Sequence, residues 1–132
     1  TYNPIKTDGK PYLIKQGGVS DVYGNKENNI TTENNGDRFP ASILKFKRDK
    51  EKLHPTQKPI ALFDYLIKTY TNEGETVLDN TAGSGTTGIA CINTNRNYIL
   101  IEKEQKYFDI INERIDKHKQ QREGEFSFEN QS

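Results

Sequence analysis

The residues best suited to chemistry lie in one segment, Val77–Gly88, which reads VLDNTAGSGTTG. An acid, Asp79, follows two apolar residues, and three glycines then come in the order G-x-G-x-x-G, at Gly83, Gly85 and Gly88. Glycine lets a backbone turn sharply and approach a ligand without interference from a Cβ atom. The N-terminus of a helix that follows would offer unpaired N–H groups to an anionic group. The segment therefore predicts a ligand-binding turn between a strand and a helix.

A second acid follows the last glycine at a distance of about one helix plus one strand. Residues 98–101 read as another strand, and this strand ends at Glu102. Strand, glycine turn, helix, strand and acid together form the layout of a nucleoside-binding βαβ unit. A carboxylate at position 102 can accept hydrogen bonds from both hydroxyls of a ribose. A carboxylate at position 79 disfavours a pyrophosphate and favours an ammonium group, so the two acids suit S-adenosylmethionine, which carries a free amine and a free ribose.

Five elements must position these residues. The helix before the first strand is indicated by an apolar face at helical spacing, with Pro59 expected at its first position and Lys58 at its N-cap. The two strands are expected to be parallel neighbours that are joined by a right-handed crossover. The predicted elements are helix 59–71, strand 76–79, helix 85–94, strand 98–102 and helix 104–120.

Composition sets limits on the class of protein. The 132 residues suffice for one domain at most, and Lys+Arg and Asp+Glu both number 19, so overall charge does not indicate nucleic acid. A single cysteine leaves no internal disulfide and no cysteine-based metal site, and no metal is expected. No apolar run is long enough to span a membrane, so a cytoplasmic protein without membrane contact is the default prediction.

The N-terminal part has few apolar residues. Within residues 1–36 a short strand is predicted at 12–14, and the rest reads either as a flexible arm or as a segment that faces nucleic acid. Residues 37–58 contain a strand candidate at 43–46. They also contain seven basic residues against three acidic ones, a local excess of +4. This excess suggests contacts with DNA phosphates, although a solvated face is the alternative; the residues concerned are Lys47, Arg48, Lys50 and Lys52.

Three segments together resemble a known family. Leu53–Pro59 (LHPTQKP), Val77–Gly88 and Ile99–Lys103 (ILIEK) are similar to consecutive motifs of the amino DNA methyltransferases of the β group. Those enzymes transfer a methyl group from S-adenosylmethionine to adenine N6 or cytosine N4. The resemblance is specific over about 38–118. It implies an α/β fold, namely a partial Rossmann-like S-adenosylmethionine-dependent methyltransferase fold with a few-stranded parallel sheet and flanking helices.

The resemblance also implies roles for individual residues. Asp79 and the turn at 83–87 would hold the methionine end, Glu102 would bind the ribose, and Thr56 and Lys58 would close over the cofactor. The implied organisation is the end of a target-recognition region at 1–50, a cofactor-binding portion at 51–121 and a disordered tail at 122–132. The family often has Asp-Pro-Phe where this chain has Asp79-Asn80-Thr81. The full set of expected cofactor-binding residues is Thr56, Lys58, Asp79, Asn80, Thr81, Gly83, Ser84, Gly85, Thr86, Thr87, Glu102 and Lys103.

One motif of the family is missing. Its catalytic Pro-Pro-aromatic motif has no counterpart, since none of the five prolines are adjacent. No catalytic residue is therefore assigned, and the chain is expected to be the C-terminal part of an enzyme that is inactive by itself. Expected partners are double-stranded DNA with a flipped base, adenine being favoured, and a missing N-terminal segment or partner chain. An exposed apolar sheet edge would also permit a homodimer.

Two other functions compete with this one. The G-x-G-x-x-G spacing also suits half of a nicotinamide-dependent oxidoreductase, although Asp79 argues against a pyrophosphate. The basic stretch and the missing motif also suit a non-catalytic DNA-binding remnant. Two single residues receive structural interpretations: His54 as a loop histidine, and Cys91 as a packed small hydrophobe.

Overall fold

The computed structural model describes residues 1–16 and 30–129. The chain divides into two units, one formed by Pro4–Ile43 and the other by Thr1–Asn3 together with Leu44–Ser132. Within the described residues, no helix is long and apolar enough to cross a membrane.

The Pro4–Ile43 unit consists of short antiparallel strands. They are β1 (Thr7–Asp8), β2 (Tyr12–Gln16), β3 (Ile30–Asn34) and β4 (Asp37–Arg38). Strand β2 pairs with β3, and β1 pairs with β4. The strand predicted at 12–14 is thus confirmed, whereas the flexible arm predicted for the rest of 1–36 is wrong at β1 and β3. The part of that prediction on 17–29 lies outside the described residues.

The second unit contains the predicted helices and parallel strands. They are α1 (Ile60–Tyr70), β5 (Thr76–Asp79), α2 (Thr86–Asn93), β6 (Asn97–Leu100) and α3 (Gln105–Glu129). Strands β5 and β6 are parallel, as predicted, and their register places Asp79 opposite Leu100. Helix α3 continues past the predicted end near Gln120 and takes in most of the predicted tail. The handedness of the crossover stays a prediction.

Two local predictions are wrong. Residues 43–46 form no strand, since they pair with none of the described strands, and Ile43 is 76% exposed. Pro59 is the N-cap residue of α1 and not its first helical residue, since its ψ of 138° is extended. The backbone N–H of Ile60, which has no partner inside the helix, donates instead to the Asp49 carboxylate. Both carboxylate oxygens lie 3.3 Å from this nitrogen. A tertiary contact thus replaces a local cap.

The helices cover one face of the sheet. Val77 and Tyr98 are half-buried and pack against buried Cys91 on α2. Burial of this thiol raises its pKa to about 11, so Cys91 stays protonated and inert, as its packed position predicts. On the other face, Leu78 and Ile99 lie opposite each other and are 62% and 54% exposed. Parallel sheets normally have both faces covered. Here one face leaves apolar surface exposed, whereas the sequence predicted an exposed apolar edge.

Candidate functional site

A cavity of about 330 Å³ lies where β5 and β6 end. The carboxyl ends of parallel strands are the usual place for a ligand in an open α/β sheet, and this volume falls within the ordinary range for small-molecule sites. The cavity is lined by His54, Thr56, Gln57, Lys58, Phe63, Asp79, Thr81, Ala82, Gly83, Ser84, Thr86, Thr87 and Glu102.

The first acid of the cavity is fixed by its neighbours. Asp79 is the last residue of β5, and its Oδ1 atom accepts a hydrogen bond of 3.0 Å from the backbone N–H of Thr81. The hydroxyl of Thr87, in the first turn of α2, donates to Oδ2. Each carboxylate oxygen has two lone pairs, so both oxygens can still accept a hydrogen bond from a ligand. The carboxylate is half-buried, which strengthens such a bond.

The second acid is fixed in the same way. The backbone N–H of Gly83 donates to Oε2 of Glu102 at 2.8 Å, and the N–H of Glu104 donates to Oε1 at 3.0 Å. These two bonds lower the pKa of Glu102, the bond from Glu104 contributing most. Glu102 is therefore an anion at neutral pH, and it also keeps a free lone pair on each oxygen.

The three glycines serve different purposes. Gly83 and Gly85 have φ values of +55° and +75°, a region in which a side chain is strained. Gly88 lies inside α2, where a Cβ atom would come within 2.8 Å of the Leu100 side chain. Gly83 and Gly85 thus allow the positive φ angles of the turn, and Gly88 allows α2 to approach β6 closely.

His54 is a site residue that sequence reasoning missed. It lines the cavity, and its ring packs edge-on against Tyr107 with the centroids 4.3 Å apart. Its Nδ1 atom accepts a hydrogen bond of 3.2 Å from the backbone N–H of Thr56. Its only signal in the sequence was its place in the same short motif as Thr56 and Lys58. Phe63 was missed as well, because its helical spacing marked it only as a core residue.

Most of the predicted cofactor residues come together. Nine of the twelve line the cavity, and Asn80, Gly85 and Lys103 do not. Asn80 and Lys103 are exposed just beyond the ends of β5 and β6. Gly85 is buried next to Ile111 of α3. A Cβ atom at this position would lie 3.1 Å from the Ile111 side chain.

The predicted basic stretch divides into two pairs. Arg48 and Lys52 line a second cavity, of about 460 Å³, together with apolar residues such as Leu44. Lys47 and Lys50 are exposed and lie outside it. The two cavities adjoin, because Thr56, Gln57 and Lys58 line both.

Comparisons with known proteins agree with this geometry. The sequence profile of the DNA methylase family N6_N4_Mtase matches residues 8–113. The chain is 36% identical over 98 residues to the Type II methyltransferase M.HpaI of Haemophilus parainfluenzae, a match that covers 74% of this chain and 31% of that protein. It is 44% identical over 63 residues to the Type II methyltransferase M.BglI of Bacillus subtilis, which covers 48% and 18%, respectively.

A solved structure is also similar. The crystal structure of the M1.HpyAVI–SAM complex matches with a TM-score of 0.52 and 35% identity, over 79% of this chain and 44% of that chain. The chain spans about a third or less of the length of the two curated relatives. Its α/β architecture is a partial Rossmann-like S-adenosylmethionine-dependent methyltransferase fold. Because the family profile covers most of the sequence, the chain belongs to the DNA methylase family.

Proposed function

We propose that this chain forms the S-adenosylmethionine-binding part of a DNA amino-methyltransferase. The observation that carries the proposal is the pair of fixed carboxylates, Asp79 and Glu102, in one cavity at the ends of two parallel strands. Each retains acceptor capacity on both oxygens. An amine and a ribose diol are the two hydrogen-bond donors of S-adenosylmethionine that such a pair would satisfy.

The proposed roles follow the positions of the residues. Asp79 accepts hydrogen bonds from the amine, and Glu102 accepts them from the ribose hydroxyls. Thr56 and Lys58, which also line the cavity, close over the cofactor. The turn contributes backbone and small side chains through Thr81, Gly83, Ser84, Gly85, Thr86 and Thr87. Asn80 and Lys103, which flank the two acids, complete the proposed set.

The chemistry requires little from these side chains beyond binding. When bound, S-adenosylmethionine supplies a methyl group on an activated sulfonium. The target amine therefore needs positioning more than a strong base. Asp79 and Glu102 orient the cofactor, and no catalytic residue is assigned within the 132 residues. We propose that the Pro-Pro-aromatic motif, which is absent from this sequence, holds the flipped base in the whole enzyme.

We further propose that double-stranded DNA is the substrate, with adenine as the favoured target base. The observation that supports DNA as the substrate is the local excess of +4 at 37–58 in a chain of zero net charge. Lys47, Arg48, Lys50 and Lys52 are all exposed. Arg48 and Lys52 line the cavity that adjoins the proposed cofactor site, so DNA phosphates bound there would lie beside it.

The proposed partner of the exposed sheet face is a chain segment that carries the missing motif, in the same protein or in a second subunit. Leu78 and Ile99 form part of this face, and its apolar character favours burial. A homodimer through the same face is the alternative.

The family match favours this function over a nicotinamide-dependent oxidoreductase, and calorimetric titration of the purified chain separates them. S-adenosylmethionine and its demethylated product, S-adenosylhomocysteine, are titrated first, with NADH as the control. We expect saturable binding of the first two and none of NADH. Tighter binding of NADH would overturn the proposal.

A further inference from the structure

We propose that Gln57 is a positioning residue that holds the glycine turn in its ligand-binding shape from outside the turn. It connects Ser84, in the middle of the turn, to the segment 49–53, which also lines the second cavity. The structural part of the proposal stands on contacts alone. Its consequence for ligand affinity rests on the proposed function.

The amide of Gln57 uses its full hydrogen-bonding capacity. Its Oε1 atom accepts from the backbone N–H of Leu53 at 2.9 Å and from the hydroxyl of Ser84 at 3.1 Å. Its Nε2 atom donates to the carbonyl oxygen of Glu51 at 3.0 Å and to Oδ2 of Asp49 at 3.3 Å. A side-chain amide has two donors and two acceptor positions, so these four bonds fill its capacity.

A second route joins the same two ends. Arg114 on α3 donates to the carbonyl oxygen of Ser84 at 2.9 Å and to the hydroxyl of Thr86 at 3.2 Å. Its guanidinium also lies 4.0 Å from Oδ2 of Asp49. Gln57, Asp49, Arg114 and Ser84 thus close a ring of polar contacts. Burial lowers the pKa of Arg114, and the charge of the Asp49 carboxylate opposes that shift.

The ring acts on the strained part of the turn. Ser84 lies between Gly83 and Gly85, the two turn residues with positive φ. Ser84 is 3% exposed, so little solvent is available to its hydroxyl as an alternative partner. Without Gln57, the Ser84 side chain would keep only Arg114, at 3.3 Å from its oxygen. We therefore expect the turn to open more often when the Gln57 amide is removed.

The first experiment measures amide hydrogen exchange by NMR on the 132-residue chain without ligand. Gln57→Leu keeps the size of the side chain and removes all four bonds. The matched control is Gln105→Leu, because the Gln105 amide bonds Asp109 on the exposed side of α3. We expect exchange at Gly83, Gly85 and Leu53 to rise about tenfold in Q57L alone. Equal exchange in both variants, or a uniform rise through the core helices, would overturn the proposal.

The second experiment measures S-adenosylhomocysteine binding in a double-mutant cycle. Ser84→Ala removes the hydroxyl but keeps the carbonyl oxygen that Arg114 binds. If Gln57 acts through Ser84, the double variant Q57L/S84A should lose less affinity than the two single variants lose together. Fully additive losses would contradict the inference. If the wild-type chain bound no S-adenosylhomocysteine, the proposed function would be contradicted, and the exchange experiment would still decide the role of Gln57.

Discussion

The backbone N–H of Gly83 donates to the Oε2 atom of Glu102 at 2.8 Å. This bond joins the turn that follows β5 to the acid that follows β6. The two segments meet because the strands are parallel and in register, with Asp79 opposite Leu100. The turn and the acid are therefore held together before any ligand arrives, which lowers the entropic cost of binding.

Removal of either acid should weaken cofactor binding. We expect Asp79→Ala to cost about 1.5–3 kcal/mol in the affinity for S-adenosylhomocysteine, and Glu102→Ala to weaken that affinity as well, since each leaves ligand donors without a charged acceptor. The control is Asp116→Ala, at an exposed position on α3. Affinities are measured by calorimetry. Wild-type affinity in D79A would show that the amine is bound elsewhere.

The stability of the protein should depend on the charge of Glu102. Its pKa is lowered from the ordinary value of 4.5 because two backbone N–H groups stabilise the carboxylate. A lowered pKa contributes stability above the unfolded-state value, and the contribution is lost as the pH falls through the folded-state value. Glu102→Gln should therefore be less stable than the wild type near neutral pH, and the difference should shrink in acid. Urea unfolding at several pH values measures this, and a difference independent of pH would contradict it.

The basic stretch should govern the salt dependence of DNA binding. Neutral substitutions of Lys47, Arg48, Lys50 and Lys52 should weaken binding equally for all sequences. They should also reduce the slope of log K against log salt by about 0.9 for each phosphate that is no longer neutralised. The control variant neutralises four exposed lysines elsewhere, Lys68, Lys106, Lys117 and Lys119. Fluorescence anisotropy at several salt concentrations gives the slopes. The same slope in both variants would mean that the stretch is only a solvated surface.

The 132-residue chain by itself should transfer no methyl group. Transfer requires a group that holds the target amine in line with the methyl group, and no adjacent prolines provide it here. Incubation with tritium-labelled S-adenosylmethionine and unmethylated DNA should give only background incorporation. Incorporation should appear when a segment with the Pro-Pro-aromatic motif is added in the same chain or as a partner. Clear incorporation by the chain alone, above a boiled control, would show that its catalytic residues were overlooked.

Two glycine substitutions should change stability in opposite directions. Gly88→Ala places a Cβ atom 2.8 Å from the Leu100 side chain and 3.0 Å from that of Ile115, so we expect destabilisation of about 1–3 kcal/mol. Gly124→Ala, inside α3, meets nothing within 4 Å. It should stabilise that helix by about 0.5–1 kcal/mol. Thermal unfolding of both variants measures the two effects, and destabilisation of similar size in both would argue against close packing at Gly88.

The sequence alone determined the central βαβ unit. Strand β5 was predicted with its correct bounds, and α2 and β6 within two residues, because apolar spacing, glycines and terminal acids are local signals. The family motifs also identified residues most of which line one cavity in the structure. A motif can do this because it names residues whatever their separation in the chain. The strand predicted at 43–46 failed because strand formation needs a partner edge, which a short apolar run cannot specify.

Only the tertiary structure decided how the glycine turn is supported. Gln57 lies 27 positions before Ser84 in the sequence, and Arg114 lies 30 positions after it. No periodicity relates the three residues. Asp49 was counted in the sequence only as one acid in a basic stretch, yet it caps α1 and faces Arg114. The capping of Ile60 by Asp49 depends on the path of the intervening loop. Propensity and spacing describe neighbours along the chain, whereas these polar contacts depend on which side chains meet once the helices pack on the sheet.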